Sequence, residues 1–280
     1  MTLASEVFGP EHEQVSVYMA WKGRGETPTE IAERLSRTVT VLTGLYPDGS
    51  AAFCTLGGAD LNAPNRMPDD FEGLSDLAAS KSDKNPDGTV REQGRTSLVA
   101  LLMPNPETGP RSDAMLSVAA GTPLGLNNKL SLQLEDTFPM GTPSETARWF
   151  LDLVRLWQPQ YALLKTALTN STDLGMGTNS GYLSWASTKA FGSVPEVASA
   201  VCFPFGHGVL YAAREWSIAG FATLARDLAA AGGARILDTP KLQDPPAFPQ
   251  GYPGGLDRLD DLVTWGPELD ASPSRGSLNR

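Results

Sequence analysis

The sequence predicts an α+β protein, made mostly of antiparallel sheet and covered by about three amphipathic helices. Three observations predict it: runs of alternating apolar and polar residues, two capping boxes that each open a helix, and an ordinary globular balance of 41% apolar to 19% charged residues. We assign residues 1–237 to a single domain. Residues 238–280, which hold seven prolines and five glycines, are predicted to form an extended tail.

The first strand and the first helix are adjacent in the chain. Residues Val15–Lys22 alternate between apolar and polar side chains, the pattern of a half-buried strand. Thr27 and Glu30 then form a capping box, in which each side chain bonds the backbone N–H of the other residue. Pro28 takes the first helical position, where its missing donor costs nothing. Apolar residues recur at helical spacing beyond it, so a helix with one apolar face follows.

A second capping box occurs at Thr142 and Glu145, again with a proline, Pro143, at the first helical position. An apolar stripe follows, and Pro159 stops this helix. The two boxes lie 115 residues apart, and from this recurrence we expect two related strand-plus-helix halves. A third helix is predicted over Ser217–Ala231, where two glycines suit its end.

The remaining strands are predicted from short apolar or alternating runs. They are Ala51–Leu56, Thr96–Met103, Met115–Ala119, Lys129–Glu135, Tyr182–Trp185, Val197–Phe203 and Gly208–Ala213, with a short strand at Arg235–Leu237. Strands 197–203 and 208–213 flank a Pro-Phe-Gly-His turn and should form a hairpin. Residues 57–95 are polar and rich in Gly, Pro, Asn and Asp, so we expect a long polar loop that is either functional or partly disordered.

Charge and hydropathy restrict the compartment and the partners. The chain has 32 acidic and 22 basic residues, a net charge of −10, which disfavours direct binding to nucleic acid or anionic membranes and favours a basic partner. No apolar run reaches the roughly 20 residues of a membrane-spanning helix, and the acidic N-terminus does not resemble a secretory signal. Cys54 and Cys202 lie in apolar runs, as buried free thiols do. We therefore expect a cytoplasmic protein with no membrane attachment.

Residue types that carry common catalytic chemistry are scarce. The chain has two histidines: His12 in the polar N-terminus and His207 in a turn. Cys202 and His207 would supply only two of the three or four ligands that zinc needs. Nucleophile-elbow, phosphate-binding and dinucleotide-binding loops are missing. We expect no enzyme activity, no cofactor and no metal; the alternative is a hydrolase built on carboxylates alone, because distant acids can converge in a fold.

Trp21, Arg24 and Glu26 lie where the first strand gives way to the first helix. Two interpretations stay open. One is a core tryptophan followed by a local ion pair. The other is a recognition corner, because tryptophan and arginine are favoured anchors of protein interfaces.

At this junction the chain resembles a known family. The run Trp21–Glu26 (WKGRGE) and the helix after it resemble the start of the immunity protein 52 family. Gly181–Ser187 (GYLSWAS) resembles a strand of that family, with Tyr182 where the family has tryptophan. A glycine-flanked hairpin at residues 206–210 follows, as it does there. The resemblance covers Tyr18–Thr239.

Members of that family are immunity proteins of bacterial polymorphic toxin systems, typically encoded beside toxins with a restriction-endonuclease-like nuclease domain. The resemblance implies a non-catalytic protein that binds and neutralises one cognate toxin; the alternative is an adaptor protein without a toxin. Acidity fits an immunity role, because a nuclease needs a basic substrate surface that an acidic protein can occlude. The candidate partner-binding residues are Trp21, Arg24, Glu26, Asp69, Asp70, Glu72 and Asp76.

Overall fold

A computed structural model describes residues 1–9, 14–55, 65–107, 111–123, 128–171, 180–188, 195–231 and 247–270. The strands form one ten-stranded sheet. They are β1 (Val15–Trp21), β2 (Ala52–Thr55), β3 (Asn65–Arg66), β4 (Thr96–Met103), β5 (Ala114–Ala120), β6 (Asn128–Leu134), β7 (Tyr161–Lys165), β8 (Leu183–Ser187), β9 (Ala200–Phe205) and β10 (Gly208–Ala213). The α+β class and the antiparallel sheet that the sequence predicts are confirmed.

The described ranges contain six α-helices rather than three. They are α1 (Ala4–Phe8), α2 (Pro28–Thr43), α3 (Phe71–Ser80), α4 (Pro143–Trp157), α5 (Ile218–Ala230) and α6 (Leu259–Leu262). The three predicted helices correspond to α2, α4 and α5. The other three are shorter, and a short helix shows too few turns for its apolar periodicity to stand out in a sequence.

The sheet has the order β3-β2-β4-β5-β6-β1-β7-β8-β10-β9, and each neighbouring pair is antiparallel. The first strand therefore lies in the middle, between β6 and β7. From one edge of the sheet to the central β1, the order includes β2, β4, β5 and β6 in chain order. On the other side of β1, β7 and β8 follow in chain order toward the opposite edge. The two halves of the chain order their strands differently, so the sheet does not support two related halves.

Alternation in β1 separates the two sides of the sheet. Val15, Val17 and Met19 are fully buried on the side that α2 and α4 cover, while Ser16 and Tyr18 on the other side are half-buried. Antiparallel sheets commonly have one packed face and one more polar face, which is the pattern seen in these central strands. At β8 and β10 both faces are buried.

Both predicted capping boxes are present. Thr27 Oγ1 accepts the N–H of Glu30 at 3.2 Å, and the Thr27 N–H donates to the Glu30 carboxylate at 2.7 Å. Thr142 makes the same exchange with Glu145 at the start of α4. These boxes satisfy donors that the first helical turn leaves without a partner, so each helix begins where the sequence predicts.

The segment expected as a polar loop, 57–95, contains an additional helix. Asp70 caps α3 by accepting the N–H of Gly73 at 2.7 Å, and Leu74 and Ala78 are buried one turn apart. Residues 81–95 fold back on themselves through bridges from Ser82 to Thr96 and from Lys84 to Val90. Residues 57–64 lie outside the described ranges.

The C-terminal region also differs from the expected extended tail. Within residues 247–270, Leu256 and Leu259 are buried. The Asp260 carboxylate accepts the Thr142 hydroxyl at 2.9 Å and the Ser144 N–H at 2.8 Å, at the start of α4. This segment is therefore docked on the domain. The predicted strand at 235–237 and residues 271–280 lie outside the described ranges.

The predicted hairpin is confirmed by the pairing of β9 with β10, which join at a tight turn. Gly206 in this turn has a φ of 60°, a conformation that glycine adopts without steric cost. Both cysteines are free thiols, as expected; Cys54 is buried and Cys202 is half-buried.

The capping box on α2 leads to a stability prediction. Thr27→Ala should lower the free energy of unfolding by about 1 kcal/mol, because it leaves the Glu30 N–H without its side-chain acceptor. Thr27→Ser keeps the hydroxyl and should stay within about 0.5 kcal/mol of the parent protein. Urea unfolding followed by circular dichroism measures both; equal losses for the two variants would contradict a role for the hydroxyl.

Candidate functional site

The predicted recognition corner begins at Trp21, the last residue of β1. Its side chain is 2% exposed and points into the core. The Trp157 ring of α4 lies 5.7 Å from it between centroids, and the Arg24 guanidinium lies 5.4 Å over its ring. Trp157 in turn donates its indole N–H to Thr38 Oγ1 of α2 at 2.9 Å. Trp21 therefore packs against the C-terminal end of α4, and Trp157 connects that end to the interior of α2.

Arg24 and Arg34 bind the C-terminal end of α4. Arg24 Nη2 donates to the carbonyl of Trp157 at 2.9 Å, and Nη1 donates to the carbonyl of Gln158 at 3.3 Å. Arg34 Nη1 donates to the carbonyl of Leu156. The last carbonyls of a helix have no intrahelical partner and carry partial negative charge, so two guanidinium groups both satisfy and neutralise them.

Glu26 joins the two arginines into one cluster, which we call the ion triad (Arg24, Glu26 and Arg34). Glu26 Oε1 lies 3.1 Å from Arg24 Nη2 and 2.9 Å from Arg34 Nε. Arg24 is 6% and Glu26 2% exposed. Burial lowers the pKa of the Arg24 guanidinium, and the nearby Glu26 carboxylate opposes that shift. Arg24 and Glu26 are buried and Arg34 is half-buried, so the triad favours the ion-pair interpretation of the corner.

Glycines allow the corner to approach its neighbours closely. Gly121 has a φ of 93°, and a Cβ there would lie 2.4 Å from the carbonyl oxygen of Gly94 and 2.9 Å from that of Glu26. A Cβ on Gly25 would lie 2.3 Å from the Gln93 side chain. Residues 21–26 therefore pack closely against the segment that follows α3, and they hold the start of α2 in position next to it.

The four predicted acidic residues lie together on α3 and the turn before it. Asp69, Asp70, Glu72 and Asp76, which we call the acidic helix face, are all exposed. Asp69 forms an ion pair with Arg66 at 3.1 Å, and Asp70 is the helix cap. Glu72 and Asp76 are one turn apart.

Phe71 lies among these acids and is 49% exposed, which sequence reasoning missed. It follows the cap residue Asp70 directly, and buried Leu74 comes three residues later. The spacing of Asp70, Leu74 and Ala78 was the signal that could have identified α3. Phe71 is exposed because it lies in the first turn, at the end of the face that Leu74 and Ala78 bury. α3 packs along α2. Because the ion triad holds α2 in place, it also supports the acidic helix face that α3 carries.

A groove of about 540 Å³ runs between the end of α2 and the first half of α4. Its lining residues are Met1, Val41, Gly44, Leu45, Pro47, Pro139, Met140, Gly141, Glu145, Arg148, Trp149, Asp152 and Tyr252. Its two carboxylates serve the fold. Glu145 accepts from the N–H of Thr142, and Asp152 accepts from Arg155 at 2.8 Å and from the Tyr252 hydroxyl at 2.7 Å.

The residues considered for metal or acid–base chemistry are dispersed. Across the described ranges, no three His, Cys, Asp or Glu side chains come together as metal ligands would. His207 packs edge-on against Trp185 at 5.3 Å and Phe248 at 5.0 Å between ring centroids. His12 lies outside those ranges. No helix in the described part of the chain is long and apolar enough to cross a membrane.

Comparisons with known proteins leave the family open. No protein-family model and no curated protein matches the chain, so membership of the immunity protein 52 family stays a prediction. Among solved structures, the chain is similar to the T6SS protein PA0821 of Pseudomonas aeruginosa, with 11% identity and a TM-score of 0.49 over 79% of this chain and 76% of that one. A likeness of this degree does not extend to function.

The ion triad leads to a prediction about stability. Arg24→Met should lower the free energy of unfolding by about 3 kcal/mol, because Glu26 then remains buried with one fewer cation and two helix carbonyls lose their donor. Urea unfolding measures this loss, provided that the free energy of unfolding falls with urea concentration at the same rate in the variant and the parent protein.

Arg37→Met is the matched control. Arg37 pairs with Glu33 at 3.0 Å on the exposed surface of α2, and such pairs contribute at most about 1 kcal/mol. A loss for Arg24→Met no larger than that for Arg37→Met would contradict the structural role of the triad.

Proposed function

We propose that this chain is a cytoplasmic immunity protein that binds and neutralises a cognate secreted bacterial toxin without performing catalysis itself. The observation that carries the proposal is the acidic helix face together with Phe71, which is exposed beside it in the first turn of α3. It combines charges that attract a basic partner with an apolar side chain that can be buried by one. The resemblance of the Trp21–Glu26 run to the immunity protein 52 family supplies the class of partner.

The chemistry of the surface favours a nuclease as that partner. A nuclease binds the phosphate backbone through lysine and arginine side chains, so its substrate surface is basic. The acidic helix face offers Glu72 and Asp76 at helical spacing to such a surface, and the net charge of −10 steers the approach. We propose a restriction-endonuclease-like toxin whose substrate surface is occluded by α3.

Charge and apolar contact would contribute differently to the complex. Exposed carboxylates mainly raise the association rate and exclude wrong partners. Full burial of the exposed part of Phe71 would stabilise the complex by about 1–2 kcal/mol, because an aromatic ring that leaves water contributes on that scale. Trp21, Arg24 and Glu26 would act indirectly, by fixing α2 and with it the position of α3.

Two other functions give different expectations. A carboxylate-based hydrolase would use free acids in a pocket, whereas Glu145 and Asp152 in the α2–α4 groove are engaged by the fold. An adaptor without a toxin would be encoded beside no toxin gene. The product of the neighbouring gene therefore distinguishes the three functions most directly.

The decisive experiment expresses the neighbouring gene's product in a bacterial host with and without this protein. We expect growth arrest without it, normal growth with it, and co-elution of the two proteins on a sizing column. Unchanged toxicity together with no complex would refute the proposal. Hydrolytic activity of this chain alone, lost on mutation of Glu145 or Asp152, would favour the hydrolase instead.

Charge reversal tests the surface itself. The double variant Glu72→Lys with Asp76→Lys should raise the dissociation constant for the toxin at least about tenfold, with most of the change in the association rate at low salt. The control is Asp257→Lys with Asp261→Lys, which reverses two exposed acids at the same spacing on another part of the surface.

The two double variants change the net charge equally. Surface plasmon resonance at two salt concentrations separates their effects, and the control should stay within about twofold of the parent protein. If both double variants lose the same affinity for the toxin, only the overall charge matters and α3 is not part of the interface.

A further inference from the structure

Residues 83–93, which we call the projecting hairpin, fold back on themselves after α3. Lys84 and Val90 pair across the hairpin. Ten of its eleven residues are exposed, and Asn85 is half-buried. Successive residues of a paired strand point to opposite faces, so exposure of both sets means that neither face packs against the rest of the protein. The hairpin therefore projects into solvent.

Hydrogen bonds within the hairpin hold its tip in one shape. The Asn85 N–H donates to the carbonyl of Thr89 at 2.8 Å, and the Gly88 N–H donates to the carbonyl of Asn85 at 2.9 Å. The Asp87 carboxylate accepts both the N–H of Thr89 at 3.0 Å and its hydroxyl at 2.6 Å. A two-stranded hairpin alone in water is only marginally stable, so these bonds define the tip where core packing does not.

The base of the hairpin is fixed against buried parts of the protein. The hydroxyl of Ser82 lies 2.6 Å from that of Thr96 in β4, and both residues are buried. A Cβ on Gly25 would lie 2.3 Å from the Gln93 side chain, so these two residues are in close contact. The direction in which the hairpin projects is therefore set by β4 and by residues 21–26.

The turn of the hairpin, residues 85–89, carries one charged side chain, that of Asp87. The hydrogen bonds from the hydroxyl and the N–H of Thr89 lower the pKa of the Asp87 carboxyl, because they favour its charged form. Val90, next to the turn, is 37% exposed. The tip therefore presents a carboxylate in a fixed position beside an apolar side chain.

The hairpin continues the surface that we propose for toxin binding. It begins shortly after α3 ends at Ser80, and the Ser82 hydroxyl donates to the Ala78 carbonyl of α3 at 2.8 Å. A helix of ten residues is about 15 Å long. A standard interface of about 800 Å² on each partner is about 30 Å across, so one partner can contact α3 and the hairpin together.

We propose that the projecting hairpin enters a cleft of the partner and places the Asp87 carboxylate against basic side chains there. This contact rests on the proposed function, which supplies as partner a nuclease with a basic substrate cleft. A projecting element fits a concave surface, and a hairpin that is ordered before binding loses little conformational entropy in the complex. The acidic helix face then contacts the surface beside the cleft.

The chain contains a matched control for Asp87. Residues 47–49 repeat the Pro-Asp-Gly sequence of residues 86–88, and in that turn Asp48 accepts the N–H of Ser50 at 3.1 Å. Asp48 is also exposed, but it lies in the connection between α2 and β2 rather than at the tip of a hairpin. Asp87→Lys and Asp48→Lys therefore change the net charge equally and alter the same kind of turn.

Asp87→Lys should raise the dissociation constant for the toxin about tenfold or more, mostly through faster dissociation, because the carboxylate is enclosed by the partner. Asp48→Lys should stay within about twofold of the parent protein. Surface plasmon resonance measures both rates. If both variants lose the same affinity, or if Asp87→Lys binds as the parent does, the hairpin contact is refuted while the immunity proposal stands. If the parent forms no complex with the toxin, the proposed function fails and this contact fails with it.

A second measurement uses the free parent protein and needs neither toxin nor variant. NMR relaxation should give Asp87, Gly88, Thr89 and Val90 backbone order parameters near 0.85, the value of rigid backbone. Values below about 0.6 would show a flexible tip and overturn the proposal of an ordered hairpin. Circular dichroism of Asp87→Lys should match that of the parent, because the side chain lies outside the core.

Discussion

The rest of the structure depends on the carboxylate of Glu26, held between Arg24 and Arg34 at the C-terminal end of α4. A buried carboxylate is costly unless its charge is compensated, and here two guanidinium groups compensate it while also binding the last carbonyls of the helix. One cluster therefore joins the start of α2 to the end of α4, more than a hundred residues apart in the chain. Both helices then cover the same side of the sheet, where Trp157 of α4 packs against Trp21 of β1.

This arrangement produces two surfaces of different chemistry. On the helix-covered side, α3 packs along α2 and presents exposed carboxylates and an exposed phenylalanine in its first turn. On the opposite side, the central strands expose hydroxyls, amides and lysines in register. The net charge of −10 is a sum over the whole chain, so it does not give the charge of either surface.

The candidate site shows how far residue types alone can predict a function. Tryptophan is frequent both in cores and at interfaces, and arginine is buried only when it is paired, so the run from Trp21 to Glu26 is compatible with either role until Trp157 is known to lie beside it. The acidic residues could be identified by type, but their shared exposure depends on α3, whose spacing of Asp70, Leu74 and Ala78 is easily lost in a polar segment. Phe71 was missed because a single aromatic residue in a polar segment has no pattern of its own.

Local signals in the sequence by themselves determined the helix starts at Thr27 and Thr142, the alternation of β1 and β6, and the hairpin around Gly206, because each depends on residues a few positions apart. The tertiary structure decided the central place of β1, the addition of β7 beside it, the docking of residues 247–270 through Asp260, and the burial of Glu26. Each of these depends on pairing between residues far apart in the chain. Strand order and ion-pair burial depend on which parts of the chain pack together, and local periodicity in the sequence does not indicate those long-range contacts.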